Sequence, residues 1–156
     1  MSIRPCFEEV KLVYHNKVRA KDRPRISNPE DAAKILYQHW DKGQINLAES
    51  SKLLLLDRQM RLMSIANVSF GGMTETLVDP RMVFTLALKR RSHQLILGHN
   101  HPSGTLAPSR MDIQLTENLK RIGKMLRIDL QDHFIITDEG YYGILSESRG
   151  EHIAQR

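Results

Sequence analysis

The four leucines at positions 53–56 constrain this chain more than any other feature of its sequence. An alternating strand buries one face, whereas an unbroken apolar run has to bury both. The run is far shorter than the ~20 residues that cross a bilayer. It therefore reads as part of an inner strand, 49–57, that needs cover above and below. A second short apolar strand is expected at 94–98. Three stretches of helical periodicity supply the cover. The first opens at Ser27-Asn28-Pro29-Glu30, where a capping side chain precedes a proline, carries Ala33, Ile35, Leu36, His39 and Trp40 as its apolar stripe, and ends at Gly43. The second opens at Asp79-Pro80 and runs to about Arg91, with Met82, Val83, Leu86 and Ala87 inward. The third opens at Ser109 and runs to about Leu126, with Ile113, Leu115, Leu119, Ile122 and Leu126 at helical spacing.

Further strands are expected at 10–15, at 61–68 across a turn at Arg58-Gln59, at 128–137, and at 141–145 after the turn Asp138-Glu139-Gly140. Gly71-Gly72 marks another turn or bulge, and 17–25 reads as a basic loop. Interleaved strands and helices with hairpins predict an α/β fold of the mixed α+β kind, a mixed β-sheet flanked by helices. A length of 156 residues predicts a single domain over 1–156.

Cys6 is the only cysteine, which excludes an intramolecular disulfide framework and a cysteine-ligated structural zinc. Any metal must be held by histidines and carboxylates. The first residues lack the apolar segment of a secretory signal, so the expected location is the cytoplasm, with no membrane segment. With 23 basic and 18 acidic residues the formal charge is +5, compatible with nucleic acid without requiring it.

The chemistry is concentrated in Gly98-His99-Asn100-His101-Pro102-Ser103-Gly104. Side chains alternate along extended chain, so His99 and His101 project to one side and Asn100 to the other. Pro102 ends the strand. The chain then turns into Ser109-Arg110-Met111-Asp112 at the start of the third helix, where Ser109 and Asp112 share a face. Two imidazoles and a carboxylate are the ligand set of a catalytic zinc that keeps a fourth position for water. Among seven histidines, ~0.3 His-x-His pairs are expected by chance, and Ser109-x-x-Asp112 alone is an ordinary helix cap. The weight comes from their joint order and spacing.

The motif resembles that of the JAMM/MPN+ metalloenzymes, specifically the RadC-like JAB-domain proteins. The resemblance extends to Glu49 leading into the leucine strand, to Val78-Asp79-Pro80-Arg81 and to Asp132-His133-Phe134-Ile135-Ile136, and covers roughly 7–150. It implies a JAB/MPN, cytidine-deaminase-like architecture. It also implies Zn2+ bound by His99, His101 and Asp112, with Ser109 orienting water or stabilising an oxyanion, and a glutamate from an earlier strand as general base. Glu49 stands at the family's position; Glu75 is the competitor, and Glu117, five residues past Asp112 on a helix, points away.

The activity so implied is zinc-dependent hydrolysis of peptide or isopeptide bonds. Two alternatives are a DNA-binding or DNA-processing repair protein whose zinc site is accessory, and a catalytically silent scaffold. The 48 residues before Glu49 read as strand, loop and helix rather than the helix-hairpin-helix of full-length RadC proteins, which argues against stand-alone DNA binding. Lys120, Lys124 and Arg127 with Arg121, and Lys89-Arg90-Arg91, are basic clusters expected to be solvated helix faces. His133 is read either as orienting a ligand or as a buried structural histidine. Edge strands leave room for a homodimer.

Overall fold

The two leucine-rich runs form neighbouring strands at the centre of a mixed sheet. The computed structural model describes residues 8, 11, 13, 15, 17–69 and 78–152. Among these, β1 (Ser51–Leu56), β2 (Leu62–Ser69), β3 (Gln94–Asn100), β4 (Asp129–Ile136), β5 (Gly140–Gly143) and β6 (Arg149–Glu151) make a six-stranded sheet in the order β2-β1-β3-β4-β5-β6. The helices are α1 (Pro29–His39), α2 (Pro80–Arg90) and α3 (Arg110–Leu126). Only β3 and β4 pair in parallel; the other neighbours are antiparallel. A parallel pair needs a crossover, and α3 is that crossover.

The leucines divide as a doubly buried strand must. Leu53 and Leu55 join Val83, Phe84, Leu95, Leu97 and Leu119 in one core, whereas Leu54 and Leu56 join Leu36, Trp40, Ile96 and Phe134 in the other. Helices α2 and α3 cover the first face and α1 the second. Gly98 lets α1 sit close: a Cβ there would meet Leu36 Cδ1 at 2.7 Å. The helix stripes are narrower than periodicity suggests. Met82 is 49% exposed, and Ile113 and Leu126 are 41% and 42% exposed, because Val83, Phe84 and Ala87 on α2 and Thr116, Leu119 and Gly123 on α3 already fill the contact with the sheet.

Helix α1 ends at His39 rather than near Gly43, with Trp40 as its C-cap. Strand β6 was not expected from the sequence, because its three residues, Arg149-Gly150-Glu151, show no apolar alternation. Of the strand expected at 10–15, residues 10, 12 and 14 lie outside the described residues and Lys11, Val13 and His15 belong to no strand; Gly71-Gly72 lies wholly outside the described residues. No helix among the described residues is long and apolar enough to cross a membrane.

One irregularity matters for the site. Leu95 pairs with Leu130 but Ile96 pairs with Asp132, so Gln131 is an extra residue in β4. A one-residue slip moves the following side chains to the opposite face. Leu130 packs with the α2/α3 core and Phe134 with the α1 core. His133 is thereby turned toward the face that carries His99.

Candidate metal centre

The site lies where β3 leaves the sheet and α3 begins. His99 is the penultimate residue of β3, and His101 stays aligned beside β4 because its backbone N–H donates to Ile136 O at 3.0 Å. Both rings point to the α3 side, and their Nε2 atoms are 2.8 Å apart. Helix α3 brings the carboxylate. Ser109 is its N-cap: Ser109 Oγ accepts the Asp112 N–H at 3.1 Å, and Asp112 Oδ2 accepts the Ser109 N–H at 2.7 Å. That capping box fixes the Asp112 rotamer and leaves Oδ1 3.2 Å from His99 Nε2, with Oδ2 3.6 Å from His101 Nε2. The ordinary capping reading and the ligand reading of Ser109-x-x-Asp112 are therefore compatible.

Glu49 arrives from the other side, in the segment before β1, with Oε1 3.8 Å from His101 Nε2. Asn100 holds that segment. Its side chain projects to the opposite face from the two histidines; Oδ1 accepts the Ser50 N–H at 2.7 Å, and Nδ2 donates to Ile45 O at 2.7 Å and Ala48 O at 2.9 Å. The tripeptide His99-Asn100-His101 thus supplies two ring nitrogens on one face and a clamp for Glu49 on the other.

Thr105 O can only accept, so His101 Nδ1, 2.9 Å away, carries the hydrogen and Nε2 presents a lone pair. His99 Nδ1 is 2.7 Å from His133 Nε2. His133 is fully buried, and its Nδ1 lies 2.7 Å from Thr116 Oγ. Burial acts to lower the His101 ring, but hydrogen bonding to Asp112 and the Thr105 carbonyl outweighs it and raises the ring above the ordinary imidazole value. Burial acts to raise the Asp112 carboxyl, but the His101 and His99 rings beside it, which can donate to it once protonated, hold it well below the usual carboxylate range. Burial and the His99 ring push His133 well below its ordinary value. Burial thus acts on all three groups, and the Asp112 carboxylate beside the rings decides the direction for His101. The donor set fits a divalent ion of the borderline kind served by imidazole and carboxylate. Glu49, His99 and His101 offer ligand atoms within 4.8 Å of one another, so a metal site can also be drawn with Glu49 in it.

The structure brings His99, His101, Asp112, Ser109 and Glu49 together. Glu117 is exposed on α3, facing away, and Glu75 lies outside the described residues. Lys120, Arg121, Lys124, Arg127, Lys89 and Arg91 are exposed, while Arg90 instead binds β2 through Ser64 Oγ and Met63 O. Thr116 was not singled out by sequence reasoning, although it follows Asp112 by four residues on one helix face. The anchoring role of Asn100 was likewise missed; its hint was a polar residue between two histidines at the end of a buried strand.

A mixed sheet whose inner strand runs out into His-x-His against a carboxylate-capped helix is an α/β domain with a candidate metal centre. Comparison with known sequences gives the particular branch. The family model for the RadC-like JAB domain matches residues 26–150, and this chain belongs to that family. It is 39% identical over 127 residues to a UPF0758 protein of Alkaliphilus metalliredigens, covering 80% of this chain and 52% of that protein. It is 42% identical over 127 residues to a UPF0758 protein of Porphyromonas gingivalis, covering 81% and 56%. The chain thus spans about half the length of the curated relatives it matches.

Proposed function

We propose that this chain is a zinc-dependent hydrolase of amide bonds, in peptides or isopeptides. The observation that carries the reading is the approach of two imidazole Nε2 atoms to 2.8 Å with the Asp112 carboxylate beside both. Facing lone pairs repel unless a cation or proton lies between them. His99, His101 and Asp112 would hold the ion. When bound, it would supply Lewis acidity, acidifying a water and polarising the scissile carbonyl.

The chain's own residues would do the rest. Glu49 is half-buried beside His101, in the segment that leads into β1, and is not tied into the α3 cap. It would take a proton from the attacking water and return it to the departing amine. The Ser109 hydroxyl accepts from Asp112 N but keeps its own hydrogen, which would be donated to the negative charge that develops on the carbonyl oxygen, an interaction worth ~3 kcal/mol in comparable sites.

Metal analysis of the purified chain, paired with assays on isopeptide-linked and linear peptides, tests the proposal. Glu49→Gln should keep one equivalent of zinc and lower hydrolysis by ~10²–10⁴-fold. Loss of zinc in that variant would instead make Glu49 a ligand, and unchanged turnover would move the base elsewhere. Salt-sensitive DNA binding without any hydrolysis would replace the hydrolase reading with the DNA-processing one.

A further inference from the structure

The two histidines of the centre are held from behind in different ways. His101 Nδ1 faces a backbone carbonyl, which fixes its tautomer outright. His99 Nδ1 faces another imidazole, and an imidazole nitrogen can either donate or accept. Something further back must decide which.

Thr116 decides it. Its single hydroxyl hydrogen has two neighbours, Asp112 O at 2.6 Å and His133 Nδ1 at 2.7 Å. The carbonyl cannot donate, so a hydrogen directed at His133 would leave two oxygens in close contact with nothing between them. The hydroxyl therefore donates to Asp112 O and accepts from His133 Nδ1–H. His133, fully buried among apolar strands, is neutral and leaves Nε2 bare. That nitrogen accepts from His99 Nδ1–H, and the His99 lone pair is left on Nε2, facing His101 and Asp112.

We propose that Thr116 and His133 form a hydrogen-bond relay that locks His99 into its ligand-competent tautomer and so sets the affinity of the centre for its divalent cation. The inference rests on the metal-site reading above. Both are positioning residues, since neither reaches the place where the ring nitrogens converge. Histidine ligands commonly lean on a carboxylate or carbonyl; here a second imidazole takes that place, and its direction is set one step further away by a helix hydroxyl. The relay begins at the main-chain carbonyl of Asp112, so the turn that supplies the carboxylate also orients the imidazole opposite it.

The test uses the full chain, stripped of metal, with zinc affinity measured by chelator competition and histidine tautomers read from 15N spectra at pH 8. Thr116→Val keeps the shape but cannot accept, so the His133 hydrogen should move to Nε2. His99 should then carry its hydrogen on Nε2, and zinc binding should weaken about tenfold or more. Thr116→Ser should restore both readouts, which a purely structural role for the threonine would not predict for the tautomer. Wild-type affinity and an unchanged His99 tautomer in Thr116→Val would overturn the relay. A wild-type, metal-free His99 with hydrogen on Nε2 would overturn it without any variant, should Thr116→Val fail to fold. Absence of zinc binding by the wild type, with His99 carrying hydrogen on Nδ1, would sink the metal reading and with it the relay's effect on affinity, leaving only the tautomer assignment standing.

Discussion

Helices α1 and α3 start with the same local chemistry and end up with different duties. At α1, Asn28 Oδ1 accepts the Asp31 N–H at 2.9 Å, and Asp31 Oδ2 accepts the Ser27 N–H at 2.8 Å. At α3, Ser109 and Asp112 exchange a similar pair of bonds, except that the carboxylate accepts from the N-cap itself rather than from the residue before it. Each aspartate accepts a backbone N–H at the helix entrance and complements the positive end of its helix. The difference is what lies beyond the second carboxylate oxygen. For Asp112 it is His99, with His101 beside the capping oxygen; for Asp31 no imidazole is within ion-pair reach among the described residues. A cap becomes a candidate ligand through where its helix is aimed, not through its own hydrogen bonds.

The largest expected effect separates those two duties. Asp112→Asn keeps an oxygen that can accept the Ser109 N–H but loses the charge, so zinc stoichiometry should fall from one to near zero while the metal-free fold persists. Asp31→Asn should leave zinc content unchanged. Retention of zinc by Asp112→Asn would erase the distinction and favour the Glu49, His99 and His101 set instead.

Next in size is Ser109→Gly. Glycine at an N-cap costs only a few tenths of a kcal/mol relative to serine, yet it removes the hydroxyl. Hydrolysis should drop by ~10²–10³-fold with little change in melting temperature. An unaltered rate would return Ser109 to the status of Asn28, a cap alone.

The pH dependence comes third. The His101 value is raised, so in the metal-free chain its protonated form stabilises the fold fully below the unfolded value near 6.5, and that contribution is lost as pH rises through the raised value. Zinc must displace the same proton, so zinc affinity should climb over that window and fall on acidification. Melting curves with and without zinc should therefore diverge as pH increases, and parallel curves would remove His101 from the ligand set. The smallest effect is Asn28→Ala, expected to cost about 1 kcal/mol of stability and to leave zinc binding and hydrolysis untouched.

Much of this was legible before any coordinates. The leucines at 53–56 announced a strand buried on both faces, and the proline after His101 announced where the histidine strand must end. Alternation put His99 and His101 on one side, and three-residue spacing put Ser109 and Asp112 on one helix turn. All of these are properties of a few adjacent residues. The narrow packing faces of α2 and α3 were not legible, because how much of an apolar stripe is used depends on which residues reach the sheet first.

The sequence by itself determined the elements, the order of the chemical groups and the local geometry of each half of the centre, since dihedral preferences, capping and strand alternation act within a turn or two. The tertiary structure decided which groups meet. Glu49 reaches the site because Asn100, about a third of the chain further on, clamps the backbone beside it. His133 faces His99 because an extra residue at Gln131 reverses the alternation of β4. Both depend on strand register and loop docking, which are fixed by contacts between distant segments and leave no periodic mark in the chain.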